Sequence, residues 1–301
     1  MDQLDRCRGA MLGLAVGDAV GTTVEFMPRG TFAPVTDMTG GGPFRLQAGQ
    51  WTDDTSMALC LAASLLERNG FDARDQIERY CRWMDTGYMS SNGRCFDIGG
   101  TVRDALTRFK HSGEPFAGST DPYSAGNGSL MRLAPVVLFF HPDRDAAVHH
   151  AGESSKTTHG APECVDACRL FAGMLCRALD GSTKDQILDA ATDGLREPKV
   201  LSIARRAHRG KQAASIKGSG YVVASLEAAL WSFDSTDSFE AAILKAANLG
   251  DDADTTAAIC GQLAGAFYGE TGIPTRWLEM LAMRDLIGEL ANGLHRSSGI
   301  R

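Results

Sequence analysis

Apolar residues recur along this chain at three- and four-residue intervals. Residues 55–68, TSMALCLAASLLER, form one such run and end at Asn69-Gly70, a common helix stop. Residues 72–85 place Ile77, Tyr80, Cys81 and Met84 on one face. The same period runs through 99–110, 163–179, 184–191, 221–233 and 239–247, and predicts a helix in each. Strand-like stretches are few, and residues 136–140, VVLFF, are the best β candidate. The pattern predicts an all-α protein with long loops rich in Gly and Pro. No linker or low-complexity tract divides the chain, so residues 1–301 are expected to form one domain.

Two segments carry glycine at every fourth position. One has Gly9, Gly13 and Gly17, with Gly21 next in register; the other has Gly261, Gly265 and Gly269. Glycine inside a helix costs about 1 kcal/mol relative to alanine. A stripe of it makes sense where two helix backbones approach closely. Such a seam would bring together the residues flanking both helices, including Asp18 and the acids from Asp251 to Asp254.

Composition narrows the class. The chain has 301 residues, 44% hydrophobic and 22% charged, which suits a soluble globular protein of one large domain or two small ones. A formal net charge of −7 argues against a nonspecific nucleic-acid binder. The charge-free stretch 255–269 is too short for a membrane span and reads as a buried core helix. The first residues carry acids and no small-residue cleavage pattern, so no secretion leader is expected. Eight cysteines are scattered without a CxxC pair. Cys164 and Cys168 share a helix face but lack a histidine cluster, and read as core thiols rather than zinc ligands. A reducing, cytoplasmic setting is the expectation, with no nucleic-acid or membrane partner and a monomeric state.

The chemistry concentrates in two short stretches. Residues 50–57 read QWTDDTSM, and residues 248–256 read NLGDDADTT. Each puts carboxylates and threonines at the start of an apolar helix. A helix cap explains one such cluster, because its oxygens satisfy orphan N–H groups and suit the helix dipole. It does not easily explain Asp53, Asp54, Asp251, Asp252 and Asp254 in two near-identical settings. If the helix starts converge, the acids repel one another unless a cation neutralises them. Carboxylates and Thr hydroxyls are hard ligands that suit Mg²⁺ or Mn²⁺ rather than zinc. A two-metal site, with ions roughly 3.5–4 Å apart, is consistent with this set.

Other polar islands supply candidate substrate contacts. Gly126-Asn127-Gly128-Ser129 is a glycine-flanked turn able to present N–H groups to phosphate, or else an ordinary loop. His159 lies in the polar stretch SSKTTHG; Asp97 precedes the helix at 99–110, where a cap is the ordinary reading; Glu25 follows GTTV. Tyr221 follows Lys217-Gly218-Ser219-Gly220 and could stack on a base or sit in the core.

Together these motifs resemble the ADP-ribosylglycohydrolase family, most of all its dinitrogenase reductase-activating glycohydrolase branch. The resemblance runs through GLAVGDAVGTTVEFM (13–27), MTGGGPFRLQAGQWTDDTSM (38–57), FDIGGTVRDALTRF (96–109), AGNGSLMRLAP (125–135), TH (158–159), GSGYVVASLEAALWSF (218–233) and NLGDDADTTAAICGQLAGAFYG (248–269). It implies a compact all-α fold with two divalent cations, Mg²⁺ or Mn²⁺. Thr52, Asp53, Asp54, Asp252, Asp254 and Thr255 would hold them. Glu25 would lie beside the metals and the distal ribose, which Asp97 and Gly100 would face. Asn127, Gly128 and Ser129 would contact the diphosphate, His159 would line the same cleft, and Tyr221 would sit by the adenine. The chain departs from the branch near Ala224-Ser225, where an acid is usual.

The implied reaction hydrolyses the N-glycosidic bond between ADP-ribose and a protein side chain, typically arginine, on a mono-ADP-ribosylated protein, with ADP-ribose as product. Asp97 or Glu25 would transfer the proton, Asp97 being preferred. The alternatives are a hydrolase of serine-linked or O-acetyl-ADP-ribose, a noncatalytic ADP-ribose-binding protein, and a two-metal phosphohydrolase that would release AMP.

Overall fold

The structure, a computed structural model, describes residues 1–189 and 191–298. The helix expected at 184–191 ends at Leu188; residue 190 and the last residues of the domain expected at 1–301 lie outside the described residues. The first seven helices are α1 Gln3–Gly21, α2 Asp53–Arg68, α3 Ala73–Thr86, α4 Gly100–Ser112, α5 Ala134–Phe140, α6 Arg144–Lys156 and α7 Pro162–Leu179. The remainder are α8 Lys184–Leu188, α9 Pro198–Ala204, α10 Val222–Asp234, α11 Phe239–Ala247, α12 Ala253–Tyr268, α13 Thr275–Met280 and α14 Arg284–Ser298. Extended pairing among the described residues is confined to isolated bridges, such as Gly126 with Tyr221. The all-α expectation holds.

Helices α1 and α12 form the axis, and both are buried almost throughout. The two glycine stripes face each other along their contact. A Cβ placed on Gly13 would fall on the carbonyl oxygen of Gly261, one on Gly17 on that of Ala257, and one on Gly265 on that of Gly9. One at Gly21 would strike the backbone of Asp254. The seam therefore does more than pack two helices. It sets the first turn of α12, with its acids, against the last turn of α1.

Residues 136–140 are not a strand. They lie in α5, whose residues are buried on every side, with Pro135 in its first turn. A short apolar run wrapped entirely by core carries no periodicity by which helix and strand differ, and Pro with its fixed φ suits the first turn of a helix.

Gly13→Ala is expected to lower the melting temperature markedly, because the methyl group meets backbone that cannot step aside; overpacking of this kind costs about 1–3 kcal/mol or more. Gly70→Ala, with nothing nearer than 4.0 Å to its new Cβ, is expected to stay within about 0.5 kcal/mol. Thermal denaturation of the two variants checks the pair, and equal melting temperatures would mean the seam is not tight.

Candidate functional site

Neither acidic cluster is spent on capping its own helix. Thr52 is the N-cap residue of α2, yet its side chain makes no capping bond. Asp18 on α1 does the capping instead. One of its oxygens accepts from the Thr52 N–H and hydroxyl, both at 2.8 Å; the other accepts from the Thr55 N–H at 3.0 Å and hydroxyl at 2.6 Å. Asp252, the N-cap of α12, also makes no side-chain cap. At α4 the N-cap is Gly99, so Asp97 is not a cap either. Asp97 instead holds a left-handed backbone, φ 58°, which a non-glycine residue adopts only at a cost.

Freed of capping, the acids gather. Carboxylate oxygens of Asp18, Asp54 and Asp254 lie within 4.8 Å of one another, as do those of Glu25, Asp97 and Asp254. The Thr52 hydroxyl lies 3.3 Å from Asp54 Oδ2 and 3.3 Å from Asp254 Oδ2, and the Thr255 hydroxyl lies 3.4 Å from Asp54 Oδ2. Asn127 donates to Asp252 at 2.6 Å. The other oxygens of Asp54 and Asp254, both Oδ1, are buried without any hydrogen-bond partner. Unpartnered buried carboxylate oxygens are costly. Hard, anionic and converging, they fit a divalent cation held by oxygen ligands.

The electrostatics follow from burial. Asp53, Asp54 and Asp254 are pushed well above the usual carboxylate range, first by loss of hydration and then by neighbouring acids. Asp18 and Asp252 are raised by burial, although their hydrogen-bond donors pull them back down. Glu25 is pushed up to about 9 by burial and by the charge of Asp97; Asp97 is raised to about 7, chiefly by burial. Without a cation, this pair shares protons rather than carrying two charges.

A cleft of about 640 Å³ opens above the acids. Glu25, Asp53, Asp97, Gly100, Asn127, Gly128, His159, Asp252 and Thr255 line it. Thr52, Asp54 and Asp254 form its buried floor. The Ser129 hydroxyl does not face the cleft. It turns into the core, where Ser155 donates to it at 2.8 Å and the Cys168 thiol at 3.5 Å. A Cβ on Gly128 would lie 2.8 Å from the His159 ring, which would have to shift. His159 is buried beneath this turn, and burial lowers its pKa to about 3, so its imidazole is neutral.

Tyr221 belongs to an adjoining cavity of about 580 Å³, walled also by Tyr123, Glu163 and Lys199. Its hydroxyl donates to Glu163 at 2.6 Å and accepts from Lys199 at 2.8 Å. An acid thus stands beside Tyr221 after all, supplied from α7 rather than from positions 224–225. The two cavities share Thr101, Gly126 and Gly220. Asp18 and Asp251 belong to the acidic cluster expected from the seam but not to the ligand set that the resemblance implies. The signal for Asp18 is an acid set in the glycine-striped, apolar half of a helix, where every residue from Gly9 to Gly21 is buried.

The family model for ADP-ribosylglycohydrolase matches residues 1–300. The chain belongs to the ADP-ribosylglycohydrolase family. Within this family it is 48% identical over 291 residues to ADP-ribosylarginine hydrolase Tri1 of Pseudomonas putida, covering 97% of this chain and 78% of that protein. It is 35% identical to ADP-ribosyl-[dinitrogen reductase] glycohydrolase of Rhodospirillum rubrum, covering 93% and 91%. The resemblance to the nitrogenase-linked branch therefore stands, but the arginine hydrolase runs closer. A solved structure, "ADP-ribosylglycohydrolase-related protein complex", superposes with a TM-score of 0.87 at 44% identity over 99% of both chains. For this glycohydrolase fold, the acids at the starts of α2 and α12 form a cluster able to hold metal.

Asp18→Ala removes the acceptor of four hydrogen bonds at the start of α2. Losing such an outer partner of a metal site typically costs 10–100-fold in metal affinity. Calorimetric titration of the folded variant with Mn²⁺ should show about that loss, and wild-type affinity would mean that the capping bonds do not orient the acids.

Proposed function

We propose that this glycohydrolase removes ADP-ribose from arginine side chains of mono-ADP-ribosylated proteins by hydrolysing the N-glycosidic bond, and releases ADP-ribose intact. The observation that carries this reading is the pair of orphaned oxygens on Asp54 and Asp254, buried where two helix starts converge beneath the cleft. Relatives named as ADP-ribosylarginine hydrolases, at 48% and 44% identity, support the linkage.

In this reading Thr52, Asp53, Asp54, Asp252, Asp254 and Thr255 hold two divalent cations, Mg²⁺ or Mn²⁺. Bound there, the cations would supply Lewis acidity toward sugar hydroxyls and lower the pKa of a water. The chain's own residues do the rest. Gly100, at the start of α4, faces the distal ribose. Asn127 and Gly128 receive the diphosphate, the Asn127 amide being already oriented by Asp252. Ser129 supports that turn from the core through Ser155. Neutral His159 forms the packing surface beneath the turn, and Tyr221 offers its ring to the adenine in the adjoining cavity.

Hydrolysis breaks the C1″–N bond and forms a C1″–OH bond. The departing guanidine nitrogen gains a proton, and the attacking water loses one. Glu25 and Asp97 both line the cleft, and their carboxyls can give the first and take the second. We assign the transfer to Asp97, whose strained backbone holds its carboxyl at the cleft wall. Eight free thiols favour a reducing, cytoplasmic setting. Among the described residues no helix is long and apolar enough to cross a membrane.

The test is product release from an arginine-ADP-ribosylated protein, resolved by chromatography with Mn²⁺ or Mg²⁺ and then with chelator. Intact ADP-ribose, lost on chelation and reduced about a hundredfold or more by Asp54→Ala, is expected. AMP as product would favour a diphosphate hydrolase; release from serine-linked substrate alone would overturn the arginine assignment. A separate comparison addresses the proton. Asp97→Asn should abolish turnover, and full turnover there with loss in Glu25→Gln would move the role to Glu25.

A further inference from the structure

Two residues at the cleft have no part in the metal floor or the diphosphate turn. Phe26 follows Glu25, and Asp251 precedes Asp252. Both line the cleft. Both sit in the left-handed region, at φ 62° and 56°, where a phenylalanine especially is an outlier. The two loops lock each other in that conformation: the Phe26 N–H donates to the Asp251 carbonyl at 2.7 Å, and the Asp251 N–H to the Met27 carbonyl at 2.8 Å.

What the strain achieves is exposure. Phe26 remains 65% exposed, its ring edge-on to Phe44 at 6.3 Å, and Phe44 lies 5.2 Å from Phe96, the neighbour of Asp97. An aromatic ridge therefore leads from the cleft mouth toward the proposed proton-transfer pair. Asp251 is exposed too, and among the described residues no hydrogen-bond donor or cation engages its carboxylate. Packing explains neither feature. Strained residues held by their surroundings, with side chains presented rather than buried, are typical of ligand contacts.

We infer that Phe26 and Asp251 form the subsite for the guanidinium of the modified arginine, and so select the linkage that is cleaved. A guanidinium is planar, cationic and weakly hydrated; it lies on aromatic faces and pairs with carboxylates. A serine leaving group has neither the plane nor the charge. Each member of the subsite adjoins a residue of the reaction centre, Glu25 or Asp252, which puts it beside the bond that breaks. The inference rests on the arginine reading above and adds the residues that recognise it.

The experiment uses the full chain and ADP-ribosyl-agmatine, a small guanidine substrate. Asp251→Asn keeps the left-handed backbone that asparagine tolerates, and Phe26→Ala removes only the ring. Each is expected to lower kcat/KM about tenfold, with Phe26→Trp restoring it. The Kd for free ADP-ribose and for Mn²⁺, measured by calorimetry, should stay within about twofold. Undiminished kcat/KM in both variants overturns the subsite while leaving the arginine reading intact. A parallel loss of ADP-ribose affinity would assign the ridge to the sugar, and a loss of Mn²⁺ affinity in Asp251→Asn would assign that acid to the metals; either overturns the proposal. A wild-type enzyme inactive on ADP-ribosyl-agmatine overturns the arginine reading, and the subsite with it.

Discussion

Buried like charge is the constraint that organises this molecule. Asp18, Asp53, Asp54 and Asp254 sit at or below 6% exposure at the floor of one cleft, with Glu25 beside them. Left to themselves such groups either take up protons or draw in a cation, because loss of hydration and mutual repulsion both oppose charge. Holding them together requires a rigid frame, and the glycine seam provides one. At Gly21 there is no room even for a methyl group beside the Asp254 backbone. The same helix sends Asp18 across to the start of α2. One helix therefore fixes both acidic clusters, the first through hydrogen bonds and the second through backbone contact.

That arrangement explains why the capping reading of QWTDDTSM fails. A local cap would have used the Thr52 or Asp54 oxygens on their own helix. Capping from a distance, by Asp18, leaves those oxygens free for the cleft. The residue that does the ordinary structural task is 34 positions away from the first donor it satisfies, and no pattern within the motif reveals it.

Periodicity made the amphipathic helices legible, and the glycine stripes made the α1–α12 contact legible before any contact was seen. The misreading at 136–140 and the absence of α6 from the expected helices have a common physical origin, whereas α14, with Ile287, Ala291 and Leu294 on one buried face, carries its period openly in the sequence. Apolar spacing identifies a helix only when one face is wet and the other dry. Helix α5 is dry all round; α6 mixes His149, His150, Ser154 and Ser155 into its turns. The metal-type acids were legible because hard ligands cluster in sequence as well as in space. The inward turn of the Ser129 hydroxyl is set by backbone geometry that the sequence does not display. The exposure of Asp251 and Phe26 is not legible in the sequence, because it depends on a lock between loops more than two hundred residues apart.

The cleft also has a direction. At one end lie the acids. Behind the Gly128 turn lies Arg132, fully buried, donating to the Gly128 carbonyl at 3.0 Å and to the Thr158 hydroxyl at 2.7 Å, its guanidinium 4.5 Å from the Tyr80 ring centre. No acid pairs with it among the described residues. Since His159 is neutral, nothing cationic on the cleft wall duplicates that charge, and the low dielectric of the core carries its field to the turn. Under the proposed function, a cation cluster at the acidic end would draw ribose hydroxyls there, while the turn backed by Arg132 would favour phosphate. The two ends set opposite electrostatic preferences, and in that reading they would orient an ADP-ribosyl group with its scissile carbon over the acids and its diphosphate over the glycines.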